Sequence, residues 1–508
     1  MRHRPRNDRS TRSGTLSAAA VGSVRRIELR IAGLERPEWE YRDIDRHWGR
    51  LIVMHESEYH SSVTRHISFR ELQSHSTYDN AWISINGIVY DITKFIPNHP
   101  FGDTFRGHLG TECGGLFNSA HLNTRVDKLI SSSEYLSKNT IVIVGKLDVS
   151  TDHPTNEYEY KFLDRIIYQD VGNDAFWTDL RAAVVAFLKT DGNGTHYSFS
   201  EGLVHLGYHL SVYVLLSYFA WARGSYIGAA LLGFIMVCTL ANISHMATHH
   251  GFVQNKALNL IAMLLYDLSG TSGLEWQIAH QTHHTQPHSS IDYQTNAYEY
   301  LGVRIHKYMV HRAHHKFQPL YYWLVISVYL PFKFFATTYW IYKNRRYVRN
   351  AQELGGHLVA RVISITWIAC CIYYHGATVA LVVFSTYAIV YSQTAFILLF
   401  NNHEQTHCLL GEHKDVRAFH GKLSWAEVQV RTSGNWYPTN PLLAFIEFHY
   451  GYFNYHIEHH LFPTLKPSLL KKIAPIVREV CRKHDVPYIL TTFLELQQSL
   501  KQHLLKLS

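Results

Sequence analysis

Four apolar runs, roughly 203–222, 226–244, 358–374 and 377–399, stand out from a chain of 508 residues in which polar and apolar positions are otherwise mixed. A helix that crosses a bilayer needs about 20 mostly apolar residues, so each run predicts one span. Only Arg223-Gly-Ser225 separates the first two runs and only His375-Gly376 the last two, so each pair predicts a helical hairpin. A fifth apolar stretch, 319–341, carries Pro331 and Lys333 in its middle and reads as a segment lying in the membrane interface. Upstream, Trp82-Ile-Ser-Ile-Asn-Gly-Ile-Val-Tyr-Asp91 alternates apolar and polar residues across Asn86-Gly87, the pattern of a β-hairpin. Downstream, Ser468-Leu-Leu-Lys-Lys-Ile and Arg478-Glu-Val-Cys-Arg-Lys have the period of an amphipathic helix, one that covers the neighbouring domain. The chain divides accordingly into a segment 1–65, a small soluble domain 66–148, a linker with an amphipathic helix 149–200, a membrane domain 201–490 and a tail 491–508.

Histidine changes the picture most. There are 36 in the chain, and three clusters adjoin the apolar runs: His245 and His249 with His250 beside them, His280 with His283 and His284, and His456 with His459 and His460. Spacings of three and four residues put side chains on one face of a helix. Imidazole without thiolate suits iron, zinc, copper or nickel, and eight nitrogens exceed what one ion takes, so a dinuclear centre is predicted. A single such cluster is equally a solvated helix face; three at the ends of spans are not. His311, His314 and His315 share the spacing, but Lys307, Arg312 and Lys316 flank them and disfavour a cation. The expected fold is therefore an α-helical integral membrane protein, with four transmembrane helices and an extramembrane helical metal domain, behind an N-terminal α+β domain.

Parity agrees with four spans. Both termini and all three clusters then fall on one side, whereas five spans would part the third cluster from the others. Lys333, Lys343, Arg345, Arg346, Arg349 and Arg361 lie on that side and only Arg223 on the other, which makes it the cytoplasmic side by the positive-inside rule. The net charge of +8 is concentrated in the first thirty residues and in loops, without the aromatic interleaving of a nucleic-acid surface, so nucleic acid is not an expected partner. Six cysteines form no CxxC pair and read as reduced thiols. The basic, Ser-rich start has no apolar core of a secretory signal and reads as a disordered tail, with a mitochondrial presequence as the alternative.

In the soluble domain, His99 follows Phe95-Ile-Pro-Asn, and His121 ends Leu116-Phe-Asn-Ser-Ala-His121. Two histidines on opposite loops could clamp a haem between two imidazoles, or could simply be surface residues. The run WISINGIVYDITKFIPNHPFGD with the downstream FNSAH resembles cytochrome b5. That resemblance implies haem b held by His99 and His121. It departs at Phe101, where the family has glycine, which puts the shape of the haem loop in question.

Residues 200–490 resemble the membrane fatty-acid desaturases fused to cytochrome b5, of the front-end group. The matching stretches are YDLSGTSGLEW before the second cluster, HKFQPLY from His315, Trp425 with Gln429, and FNYHIEHHLFP from Phe453. The resemblance implies a non-haem di-iron centre held by His245, His249, His280, His283, His284, His456, His459 and His460. It adds His403, with His407 and Asn402 as rivals, and leaves open whether His250 stands in for His249. It also implies O2 as co-substrate, NADH-derived electrons from a separate cytochrome b5 reductase, an acyl-lipid or acyl-CoA substrate, and the endoplasmic reticulum membrane. Asp267, Glu404 and Glu458 are candidates for orienting the ligand imidazoles, Glu458 equally for facing solvent. His456 stands where front-end enzymes usually have glutamine, which bears on regiochemistry. A sphingolipid long-chain-base desaturase or a lipid hydroxylase is the alternative on the same scaffold. A haem electron carrier with a degenerate body is a third reading, and it predicts a broken cluster.

Overall fold

The computed structural model describes residues 65–99, 105–122, 140–148, 174–289, 292–306, 309–348, 351–406 and 422–508. Phe101, His407, the segment 1–64 and the linker up to residue 173 lie outside the described residues.

The N-terminal domain is built on the predicted hairpin. Strands β1 (His66–Ile67), β2 (Ser76–Thr77), β3 (Asn80–Ile85), β4 (Ile88–Asp91) and β5 (Val142–Leu147) form one sheet in the order β1-β5-β4-β3-β2. Helix α1 (Phe69–Ser74) lies between β1 and β2, and α2 (Gly114–Ala120) between β4 and β5. Ile85 pairs with Ile88 across a two-residue turn in which Asn86 and Gly87 both have positive φ, at 54° and 82°. Such a turn matches the twist of the strands it joins, and asparagine followed by glycine is the pair that adopts it most readily. Ala81, Ile83, Ile85, Ile88, Tyr90 and Phe117 close the core of this domain on one face of the sheet.

Past α3 (Ala175–Asp191), the membrane passes begin with α4 (Phe199–Ser217), capped by a reciprocal Ser198–Glu201 box, and continue to Ala222. The next pass is α5 (Tyr226–Thr239), which runs through a π turn at Leu240–Ser244 into the short helix His245–Thr248. A long segment, α9 (Ala351–Leu398), supplies the rest; between it and α5 come α6 (Gly273–Thr285), α7 (Gln318–Ile326) and α8 (Tyr329–Lys343). Three helical segments are thus long and apolar enough to cross a membrane. The third folds back on itself. Ser364 donates to the Leu268 carbonyl at 3.3 Å and Tyr387 to the neighbouring Ser269 carbonyl at 2.7 Å. A straight helix would hold those two side chains roughly 35 Å apart. The reversal falls at Gly376, whose φ of 83° and ψ of 164° suit glycine alone. Four passes result, paired as the apolar pattern predicts. The two tight turns meet, with His375 Nε2 donating to the Ala222 carbonyl at 2.9 Å.

The fifth apolar stretch is bent by 69° between α7 and α8. Lys333 stays buried against Glu275, 2.5 Å away. Outward faces of the passes carry Val204, Leu215, Ile227, Ile365 and Leu381 exposed, as lipid-facing positions are.

The end of the passes opposite the two turns is covered by α10 (Trp425–Arg431), α11 (His456–Leu461), α12 (Pro467–Lys483) and α13 (Phe493–Lys506). Leu469, Leu470, Ile473 and Val477 of α12 bury against Trp177 and Leu180 of α3 and Ile457 and Leu461 of α11. The amphipathic helix therefore covers the histidine domain, as its period predicts. The last residues do more than trail: β7 (Leu490–Thr492) pairs in parallel with β6 (Asn435–Tyr437), and Leu500 and Leu504 pack with Tyr298 and Phe396.

Candidate metal centre and haem pocket

Each histidine cluster sits on a short helix whose start or end is fixed by its sequence. His245 follows the π turn of the second pass, an irregularity that often marks functional sites. The second cluster occupies the last turns of α6, capped by Ser272, and the third spans α11. His403 closes the short helical turn Phe400–Asn402 at the end of the fourth pass.

These elements converge, and the histidines sort into two groups. His245, His249, His280, His284 and His459 form one; His283, His403, His456 and His460 form the other. Within each group one nitrogen from every ring lies within 4.8 Å of all the rest. The sorting follows helix geometry. In the second box the i, i+4 pair His280 and His284 turns to the first group and His283 to the other; in the third box His456 and His460 turn to the second group and His459 to the first. Nε2 atoms approach to 2.5 Å between His245 and His280, 2.9 Å between His459 and His284, 3.0 Å between His283 and His403, and 2.7 Å between His456 and His403. Nitrogens bound about 2.1 Å from one ion lie roughly 3 Å apart when adjacent, so both groups have the spacing of a ligand shell. The groups adjoin, with the His284 and His460 rings stacked at 4.2 Å.

None of the nine rings is more than 8% exposed. Burial, reinforced by the neighbouring imidazoles, pushes His249 and His403 down to about 3 and holds His280, His284, His456, His459 and His460 well below the usual histidine range. Those seven rings are therefore neutral, with lone pairs free for a metal. His250, the rival of His249, adopts a left-handed backbone with φ of 56° and turns away, its Nε2 3.3 Å from Gln277 Nε2. His311 and His314 are exposed, and the HRAHH stretch joins neither group.

Groups that orient the imidazoles differ from those expected. Asp292 accepts from His283 Nδ1 at 3.0 Å, Gln429 Oε1 meets His460 Nδ1 at 2.8 Å, and the Thr432 carbonyl accepts from His403 Nδ1 at 2.7 Å. Each fixes the far nitrogen of a ring and so aims the near one inward. Asp267 instead pairs with His357 Nδ1 at 2.5 Å and caps Gly273. Glu458 accepts from Asn435 and Tyr488; it is buried, so it does not face solvent either, and burial raises it to about 7. Glu404 is buried with no hydrogen-bond partner among the described residues, and burial holds its carboxyl well above the usual range. Asp292 carries no spacing signal, because only the turn after α6 returns it to His283. Gln429 is visible in the sequence as part of the Trp425 stretch, without its role.

Beside the first group, Trp276 stacks on His280 with centroids 5.1 Å apart. It forms one wall of a narrow cavity lined also by Val237 and Leu240 of the second pass and Ala395 and Leu399 of the fourth. In the N-terminal domain, the His99 and His121 rings face each other with centroids 6.2 Å apart. Two imidazoles on opposite sides of one iron, each bound about 2.1 Å away, have centroids roughly 6–6.5 Å apart. The pair thus fits a haem iron. Phe117 stacks on His121 at 4.2 Å, and the Phe117 carbonyl accepts from His121 Nδ1 at 3.0 Å.

Fold and site together define a membrane oxidoreductase with a haem-type module at one end and a buried polyhistidine centre where its passes emerge. The fatty acid desaturase family profile matches residues 219–492, more than half of the chain, and the chain belongs to that family. A profile for cytochrome b5-like heme/steroid binding domains matches residues 68–148. Similar proteins include sn-1 linoleoyl-lipid 6-desaturase of Arthrospira platensis, 26% identical over 52% of this chain and 72% of that one. Fatty acid desaturase 3 of Bos taurus is 23% identical over 86% of this chain and 93% of its own. Delta(8)-fatty-acid desaturase 1 of Arabidopsis thaliana is 24% identical over 84% and 89%. No solved structure matches the chain.

Proposed function

We propose that this protein is a front-end desaturase, introducing a double bond between an existing one and the carboxyl end of the acyl chain of a lipid or acyl-CoA. The observation that carries the reading is the division of nine buried histidines into two adjoining groups. In this reading those nine histidines hold two iron ions, and His99 and His121 hold haem b. Iron bound there supplies activation of O2, which removal of two hydrogens from an unactivated methylene pair requires and no side-chain acid or base provides. Asp292, Gln429 and the Thr432 carbonyl keep the ligand rings aimed and in one tautomer. The narrow cavity against Trp276, between the second and fourth passes and lined also by Glu275 and Lys333, marks where the acyl chain would enter.

Electrons come from NADH through a separate cytochrome b5 reductase and pass by way of the haem. The haem module and the histidine domain face the cytosol from the endoplasmic reticulum membrane. Support for front-end chemistry comes from the fused haem module and from the relatives named for 6- and Delta(8)-desaturation. His456 replaces the glutamine usual in that group and contributes a ring nitrogen to the second set, so the substitution strengthens the donor set.

The test is fatty-acid profiling of yeast expressing the chain and fed polyunsaturated acids, beside a His459→Ala control. A new double bond on the carboxyl side of an existing one, absent from the control, is expected. A product hydroxylated instead, or a modified sphingoid base with no new acyl product, contradicts the front-end assignment.

A further inference from the structure

The haem pocket does not open to solvent alone. A cavity of about 230 Å³ is lined by His99 and His121 on one side and by His249, His250, Gln281 and Thr464 on the other. Haem-module residues and a member of the first histidine group therefore share one space, which His250 also lines. The contact that makes this possible is close and specific. Arg106 reaches Glu353, at the start of α9, with two bonds of 2.9 and 2.7 Å, and both side chains are buried. Arg106 also donates to the Tyr347 carbonyl at 3.3 Å. Next to it, Gly107 is packed so tightly that a Cβ would come within 2.6 Å of Ile278 of α6. At Gly115 of α2 a Cβ would come within 2.6 Å of Trp425 Nε1, the atom that donates to the His284 carbonyl at 3.2 Å. Two glycines and one buried ion pair thus mate the haem module to α6, which carries the second histidine box, and to α9 and α10.

A buried ion pair is an uneconomical way to glue surfaces, because desolvation offsets most of the attraction, but it defines one register, since any other leaves a charge buried alone. We infer that Arg106 and Glu353 are positioning residues that lock the haem module in its electron-transfer pose, with the haem pocket open toward His249 and His250. This rests on the haem and iron reading above. With haem and iron bound, each transfer would carry one electron from the haem to the desaturase metal; two such electrons with two protons from water, and two electrons and two protons from the substrate C–H bonds, would take O2 to two waters and leave the alkene, and the external reductase would restore the haem.

The experiment follows haem reoxidation by stopped-flow absorbance in the full-length protein, reduced anaerobically and mixed with O2 and acyl substrate. Wild type, Arg106→Glu, Glu353→Arg and the double exchange are compared, with haem spectrum, haem potential and non-haem iron content measured on each. Expected is a loss of about tenfold or more in reoxidation rate in each single variant, since the competent pose is depopulated, with spectrum, potential and iron content unchanged. The double exchange, which restores opposite charges, recovers most of the rate. Should a single variant lose haem or iron, Glu353→Gln, which removes a charge without adding one, is measured instead. Single variants that keep haem and iron and reoxidise at the wild-type rate overturn the lock. So does a double exchange as slow as the singles. Wild type lacking haem or non-haem iron overturns the functional reading itself, which separates the two failures.

Discussion

His249 and His250 are adjacent and both line the cavity toward the haem pocket, yet only His249 joins the first histidine group. The expectation is that His249→Ala lowers non-haem iron content, whereas His250→Ala retains it; iron determination on the purified variants checks both. Asp292→Asn leaves His283 without its carboxylate and is expected to weaken metal binding by about 10–100-fold, measured by competition with a chelator. The depressed imidazoles also set a pH dependence. In metal-free protein His249 and His403 titrate near 3, against 6.5 when unfolded, so the unfolded chain binds more protons between those values. Their contribution is complete above about pH 6.5 and is lost as pH falls toward 3. The melting temperature of chelated protein should therefore drop from pH 7.5 to pH 5, and a flat profile would contradict neutral burial. Box spacing made the gathering of the histidines legible in the sequence. The partition into five and four was not, because neighbours such as His283 and His284 diverge on a helix and only the packed fold says which partner each meets.

Among the elements, the hairpin turns were the most legible, since two- and three-residue polar breaks between apolar runs leave the chain no alternative to reversal. Gly376 shows what such a turn demands. A Cβ there would touch nothing, so any effect of substitution is backbone strain alone. Gly376→Ala is expected to lower stability by about 1–3 kcal/mol, and thermal unfolding in detergent measures it. The interruption of the stretch 319–341 was readable from Pro331 and Lys333, and the structure bends it by 69°. The docking of α13 was not: Leu496, Leu500 and Leu504 give it an apolar stripe, but the surfaces it covers, around Trp436 and Tyr298, lie far away in sequence. The second-sphere groups share this limit, because Asp292 and Gln429 reach their histidines through loop and helix packing that no local period encodes.

At the scale of the whole molecule, four passes bring three distant histidine boxes and His403 to one depth, and the N-terminal module closes over them from outside. Domain order and the gathering of the boxes at one end of the passes were legible because each follows from counting; the contact between modules was not, because the buried Arg106–Glu353 pair joins residues 247 positions apart that no local pattern links. The account stands on two ions held by histidine alone. The most direct measurement is non-haem iron per chain in full-length protein purified anaerobically, with His245→Ala and His456→Ala alongside. About two non-haem irons per chain, reduced toward one in each variant, is the predicted result. A single iron in wild type, lost completely in either variant, would contradict a paired centre.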